Sequence, residues 1–178
     1  MKLRKAASLR DWRGIKKLYH EAFPANEKKP FWMIRKKFRQ GLSDVWVIEE
    51  QQTRRFAGLA ITMNSENLVL LDYFAISADK RGGGIGGAAL RALQEKYKDC
   101  RFFLEIESVE EGAKTQKERE RRKKFYLANG MREVGVDVTL FGVDMELLGY
   151  QCRVDFDEYR GLYHDIYGDW AANNVVRR

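Results

Sequence analysis

Arg81-Gly82-Gly83-Gly84-Ile85-Gly86-Gly87 is the segment whose residue types most directly imply chemistry. It follows an apolar run, Asn67–Ile76, and precedes the helical pattern of Ala88, Ala89, Leu90, Leu93 and Tyr97. Glycine admits positive φ and lets another group approach the backbone closely. Free N–H groups at the start of a helix form a concave donor site, and the helix dipole adds positive potential there. Arg81 adds a permanent cation with a fork of donors. The combination selects a phosphate or pyrophosphate. A merely flexible turn would give up backbone entropy, up to roughly 1 kcal/mol per glycine within a helix, for no return.

Two phosphate folds compete for this pattern. Gly82, Gly84 and Gly87 fit G-x-G-x-x-G, with Glu105 or Glu107 near the offset of a ribose contact, as in a nicotinamide enzyme. That motif belongs in a first βαβ unit, whereas two helices and several strands precede it here, and too little chain follows for a doubly wound sheet. A Walker A loop is excluded because no Lys-Ser or Lys-Thr pair follows the glycines.

The elements that must position the loop are legible from periodicity. Ser8-Leu9-Arg10-Asp11 reads as a capping box, followed by a stripe of Trp12, Ile15, Leu18, Tyr19, Ala22 and Phe23, with Pro24 as its stop. A second helix is expected from Phe31 to Arg39. Val45–Glu49 and Phe56–Met63 read as strands joined by the polar turn Glu50–Arg54, and Asn67–Ile76 as a strand buried on both faces. Arg101–Glu107 is another strand, Thr115–Asn129 a charged helix with Gly130 beyond its end, and Met131–Leu140 and Met145–Gln151 two more strands. Phe156–Trp170 reads as a docked helix. The order is helix, helix, three strands, helix, strand, helix, two strands, helix, without linker or repeat: an α/β chain with a mixed sheet, expected to be one domain over residues 1–178.

Composition bounds the rest. The 178 residues include only two cysteines, Cys100 and Cys152, and two histidines, His20 and His164, so neither a disulfide framework nor a metal-ligand cluster is expected. No apolar run suggests a signal peptide or a membrane span, and the expected compartment is the cytoplasm. The net charge of +7 concentrates in Lys28–Arg39 and Lys114–Lys124. A nucleic-acid binder is one reading of the second stretch, but it lacks interleaved aromatics and reads better as a solvated helix face.

Residues Arg81–Gly86 resemble the acyl-CoA signature of the GNAT superfamily of N-acetyltransferases: Arg or Gln, two residues, Gly, one residue, then Gly or Ala. Phe74–Lys80 looks like the strand and turn that lead into it, with Ser77-Ala78 where the family often has His-Pro. Phe125-Tyr126-Leu127-Ala128-Asn129-Gly130-Met131 is similar to the family's later F-Y-x-x-x-G-F passage. The resemblance covers roughly residues 1–150 and leaves 151–178 as a C-terminal helical extension. It implies a GNAT-like fold and transfer of the acetyl group of acetyl-CoA to a primary amine, by direct attack in a ternary complex, without a metal. The cofactor would lie on Phe74, Ala75 and Ile76 through its pantetheine arm and on Arg81, Gly82, Gly83, Gly84, Ile85, Gly86 and Gly87 through its pyrophosphate.

Tyr126 matches the family tyrosine that donates to the departing sulfur; its bland alternative is a core tyrosine beside Phe125. Glu105 and Glu107 lie two apart on one strand face and are candidate bases, with a structural hydrogen bond as the alternative. Asp72 and a water chain are further candidates. Glu21, Glu27, Phe31 and Trp32 could line the acceptor's entrance. The implied acceptor is a small-molecule amine rather than a protein, with no nucleic acid or membrane partner, and a homodimer stays open. A CoA-binding module of the same fold without catalysis is the alternative function.

Overall fold

The computed structural model describes residues 1–109 and 115–178. Lys114, the first residue of the basic stretch, lies outside the described residues. The fold is mixed α/β, with eight strands and six helices among the described residues. The chain divides into two compact units, Met1–Asn64 with Leu71–Lys96, and Ser65–Leu70 with Tyr97–Arg178.

The first unit holds strands β1 (Lys2–Lys5) and β2 (Ser43–Glu49), β3 (Phe56–Ser65) up to Asn64 and β4 (Leu68–Ile76) from Leu71, in the order β1-β2-β3-β4. Helices α1 (Leu9–Ala22) and α2 (Phe31–Arg39) cover one face and α3 (Ile85–Lys96) packs on the other. Alternation along β4 explains how one strand serves both. Tyr73 and Ala75 join Ile15, Leu18, Tyr19 and Ile34 from the first two helices. Phe74 and Ile76 join Ala89 and Ile85 from α3. The capping box at Ser8 and Asp11 is present. Asp11 also receives both terminal nitrogens of Arg4, at 2.8 and 2.7 Å, which ties the helix start to β1.

The second unit orders β5 (Arg101–Glu107), β7 (Val143–Tyr150), β6 (Arg132–Leu140) and β8 (Val175–Arg177) as β5-β7-β6-β8, every one of these pairs antiparallel. Helix α4 (Gln116–Ala128) is anchored by Lys123, whose ammonium bridges Glu133 and Glu146 at 2.7 and 2.6 Å. Burial opposes that charge, but the two carboxylates outweigh it and raise the lysine's pKa.

Three elements differ from the expectation. β1 and β8 are strands of four and three residues, too short and too charged to show alternation. The tail is not one helix: α5 (Phe156–Tyr167) stops at Gly168, whose φ of 82° breaks the backbone before the single turn α6 (Asp169–Ala172). Glycine at that position lets the chain reverse without steric cost.

Candidate functional site

The glycine segment lies at the end of β4, in the first unit. A 3-10 turn, Ala78–Lys80, leads out of the strand, and Arg81 folds back so that its Nε donates to the Ile76 carbonyl at 3.1 Å. Its terminal nitrogens have no protein partner among the described residues. Lys80 pairs with Glu50 at 3.0 Å, and the Thr53 hydroxyl together with Lys80 holds that carboxyl below its usual range. Gly82 and Gly84 take φ of 84° and 74°, conformations that a side chain resists. The helix begins earlier than the glycine run ends: Ala88 N–H donates to the Gly84 carbonyl at 3.1 Å, so Ile85, Gly86 and Gly87 form the first turn of α3. Among the described residues, the N–H groups of Gly82–Gly87 donate to no protein acceptor. A Cβ at Gly82, Gly83 or Gly84 would meet nothing within 4 Å, so these glycines are not there to fit a packed interior. The result is an open row of unspent donors at the positive end of a twelve-residue helix, next to an arginine. An anionic diphosphate suits it.

Asp72, also in the first unit, is 4% exposed at its side chain and pairs with Lys29 at 2.6 Å. The Lys29 backbone is held at both ends of its peptide unit: its N–H donates to the Tyr73 hydroxyl and its carbonyl accepts from Tyr19, at 3.1 and 2.9 Å. Tyr73 in turn donates to the Glu27 carbonyl at 2.8 Å. Burial, with Asp72 close by, pushes the Tyr73 phenol far above its ordinary value. Of the expected entrance residues, Phe31 packs against Trp12 and Tyr19, while Trp32 is 63% exposed and Glu21 lies on the surface beside Lys17. Sequence reasoning placed Asp72 among the bases but had no signal for Lys29, which is 43 positions away.

The remaining candidates lie in the second unit. Tyr126 occupies the last turn of α4, edge-on to Phe125 with ring centroids 5.2 Å apart. Its carbonyl accepts from Met131 N–H at 3.2 Å, and Asn129 Nδ2 caps the Phe125 carbonyl at 2.8 Å, so the helix end is tightly defined. The Tyr126 hydroxyl makes no hydrogen bond among the described residues. Burial pushes this phenol up to about 12, although Arg122 acts in the opposite direction.

Glu105 and Glu107 are both engaged. Tyr163 donates to the two Glu105 oxygens at 2.9 and 3.2 Å, and Tyr159 donates to the same carboxylate. Arg119 of α4 bonds Glu107 at 3.2 Å and the Ser108 carbonyl at 2.9 Å. The strand face carrying the two carboxylates is therefore covered rather than open. Tyr159 and Tyr163 were legible only as an apolar stripe on the tail helix; their one-turn spacing places two hydroxyls together, but nothing local names the acceptor 54 and 58 residues away. Among the described residues there is no cluster of three or more metal-ligating side chains, and no helix is long and apolar enough to cross a membrane.

Comparison with known proteins bears on both units. The family model described as "Acetyltransferase (GNAT) family" matches residues 12–131. No curated protein matches the chain significantly. Among solved structures, one described as a GNAT-family acetyltransferase from Bacteroides thetaiotaomicron superposes with a TM-score of 0.78 at 22% identity, covering 95% of this chain and 99% of its own. An aminoglycoside 6'-N-acetyltransferase complexed with coenzyme A gives 0.67 at 13% identity, covering 87% and 100%. A spermidine/spermine N-acetyltransferase from Vibrio cholerae gives 0.61 at 18% identity, covering 83% and 92%. At these identities the structures share the fold.

Proposed function

Since this chain belongs to the GNAT family of acetyltransferases, we propose that it transfers the acetyl group of acetyl-CoA to a primary amine of a small-molecule acceptor. The observation that carries the donor assignment is the row of unspent N–H groups from Gly82 to Gly87 ahead of α3. These donors, with the Arg81 guanidinium, would hold the pyrophosphate. The backbone of Phe74, Ala75 and Ile76 would pair with the pantetheine amides.

In the reaction the neutral amine nitrogen attacks the thioester carbonyl carbon, the carbon–sulfur bond breaks, and the sulfur leaves with the electron pair. Tyr126 would face that sulfur. Its phenol, pushed up to about 12, stays protonated at neutral pH and is a permanent donor. A thiol titrates near ~8.5, so complete proton transfer from such a phenol to the thiolate is uphill. The tyrosine's contribution is accordingly a hydrogen bond that strengthens as charge develops on sulfur. The proton lost by the amine passes to water or to a carboxylate, with Glu105 and Glu107 as the carboxylate candidates. Both already accept protein hydrogen bonds, so an incoming ammonium would have to compete with Tyr163 and Arg119 for their oxygens.

The experiment is thiol release from acetyl-CoA across a panel of primary amines, beside calorimetric binding of CoA. Amine-dependent release is the expected result. CoA binding without release on any amine would make the chain a CoA-binding module, and absence of CoA binding would overturn the reading altogether.

A further inference from the structure

The Lys29–Asp72 pair has an arrangement that suits an exchangeable ligand. Asp72 is a carboxylate withdrawn from water, with 4% side-chain exposure, whereas its partner lysine keeps 19%. The lysine is thus the more exposed partner of the pair. Its ammonium sits 2.6 Å from Asp72 Oδ1, 3.7 Å from the Met63 sulfur and 5.4 Å from the centroid of the Tyr73 ring. A carboxylate, a polarisable thioether and an aromatic ring together recognise an alkylammonium ion. Behind them stands a rigid aromatic wall: Tyr73 contacts Tyr19 and Phe23 edge-on, with centroids 4.8 and 4.9 Å apart.

The tethering of Lys29 separates its backbone from its side chain. Two tyrosine hydroxyls hold the peptide, through Lys29 N–H and Lys29 carbonyl. The ammonium is held through a flexible four-carbon stem. The side chain can therefore leave while the segment stays in place. Removing an ammonium from a buried carboxylate is costly if nothing replaces it. Replacement by another primary ammonium leaves the pairing intact and returns the lysine head to water.

We propose that Asp72, Tyr73 and Met63 form an alkylammonium site occupied by the protein's own Lys29, and that a cationic amine acceptor binds by displacing it. The inference rests on the acetyltransferase reading for the word acceptor, and names the acceptor as a cationic aliphatic amine; the site itself stands on the first unit's geometry alone. Self-occupancy weakens apparent affinity, because only the fraction of molecules with Lys29 withdrawn is competent. It also discriminates, since a neutral ligand cannot pay back the broken ion pair.

The test is calorimetric titration of the full chain with 1,6-diaminohexane, with 1,6-hexanediol as the neutral control and thermal melting to verify folding. Lys29→Met keeps the stem and removes the charge, and is expected to bind the diamine about tenfold more tightly than the wild type. Asp72→Asn is nearly isosteric and is expected to lose at least about thirtyfold. Lys29→Arg, which retains the pair with a better fork of donors, is expected to bind more weakly than the wild type and serves if Lys29→Met does not fold. Unchanged diamine binding in Asp72→Asn, or no gain in Lys29→Met together with no loss in Lys29→Arg, overturns the site. Thiol release from acetyl-CoA, measured separately, distinguishes failure of this site from failure of the acetyltransferase reading: diamine binding without any turnover retains the first and removes the second.

Discussion

The carboxylate of Glu105 on β5 is gripped by Tyr163 of α5, whose hydroxyl reaches both of its oxygens at 2.9 and 3.2 Å. Tyr159, one turn earlier, donates to the same group, and both tyrosine side chains are fully buried. The C-terminal extension is thereby fastened to β5, the first strand in its unit's order, by charge-assisted hydrogen bonds. Tyr163→Phe removes one donor and is expected to cost about 1–2 kcal/mol of stability. Glu105→Gln is expected to lower the melting temperature while leaving kcat within about tenfold, because its oxygens are already taken up by the Tyr159 and Tyr163 hydroxyls. A fall in kcat of about a hundredfold or more with unchanged melting, together with loss of the acid limb of the pH–rate profile, would instead assign Glu105 the base role.

Gly58 on β3 lies where a Cβ would come within 2.5 Å of the Ala75 carbonyl oxygen and 2.8 Å of Ile76 Cδ1. The first neighbour is backbone and cannot turn aside. Gly58→Ala must therefore push β3 away from the end of β4, the strand that carries Phe74 to Ile76. A loss of about 1–3 kcal/mol is expected from such overpacking, read as a lower midpoint in urea. Melting at the wild-type midpoint would show that the strand spacing is softer than its geometry implies.

The glycines of the cradle separate backbone strain from ligand approach. Gly84 has positive φ, so Gly84→Ala is expected to cost about 1 kcal/mol of stability whatever it does to binding. Gly83 has no such constraint and open space around it, so Gly83→Ala should melt at or slightly above the wild-type temperature. Its methyl group would project where a diphosphate has to come close to the N–H groups. Weaker CoA binding in Gly83→Ala, at undiminished stability, is the expected signature of the cradle; unaltered affinity would place the diphosphate elsewhere.

How far these features were legible varies with how local their causes are. The Ser8–Asp11 capping box, the glycine loop and the two-sided burial of β4 were readable because cap, turn and alternation are short-range patterns. The helix start at Ile85, inside the glycine run, is set by the φ of Gly84, which residue types alone do not display. Asp155 and Glu158 carry the same box signature and cap α5, a local signal as short-range as the one at Ser8. Engagement of Glu105 by tyrosines, and of Asp72 by Lys29, depends on tertiary packing. No periodicity reports it.

Asp11 links stability to pH. The Arg4 guanidinium first, then the Ser8 and Ala7 N–H groups, hold its carboxyl well below the usual range against the opposing effect of burial. Depression in the folded state means that the unfolded chain binds the proton more readily. The stabilisation is therefore complete above the ordinary carboxylate value of about 4 and is lost as pH falls below it. Asp11→Asn is expected to lower stability by about 2–3 kcal/mol at neutral pH, and to flatten the decline in melting temperature between about pH 5 and 2. An equally steep acid decline in the variant would shift the linkage to other carboxylates.

Tyr126→Phe tests the donor to sulfur. The hydroxyl has no protein partner among the described residues, so its removal leaves no broken hydrogen bond and folding should be spared. A group that acts only as sulfur gains charge contributes to the transition state rather than to binding. The variant is expected to lose about tenfold to a hundredfold in kcat, with the affinity for acetyl-CoA within about twofold. Because the phenol titrates only near 12, the wild-type rate profile should show no limb assignable to it between pH 6 and about 10. A parallel loss in kcat and cofactor affinity would reassign Tyr126 to holding the cofactor, and no loss in either would return it to the core beside Phe125.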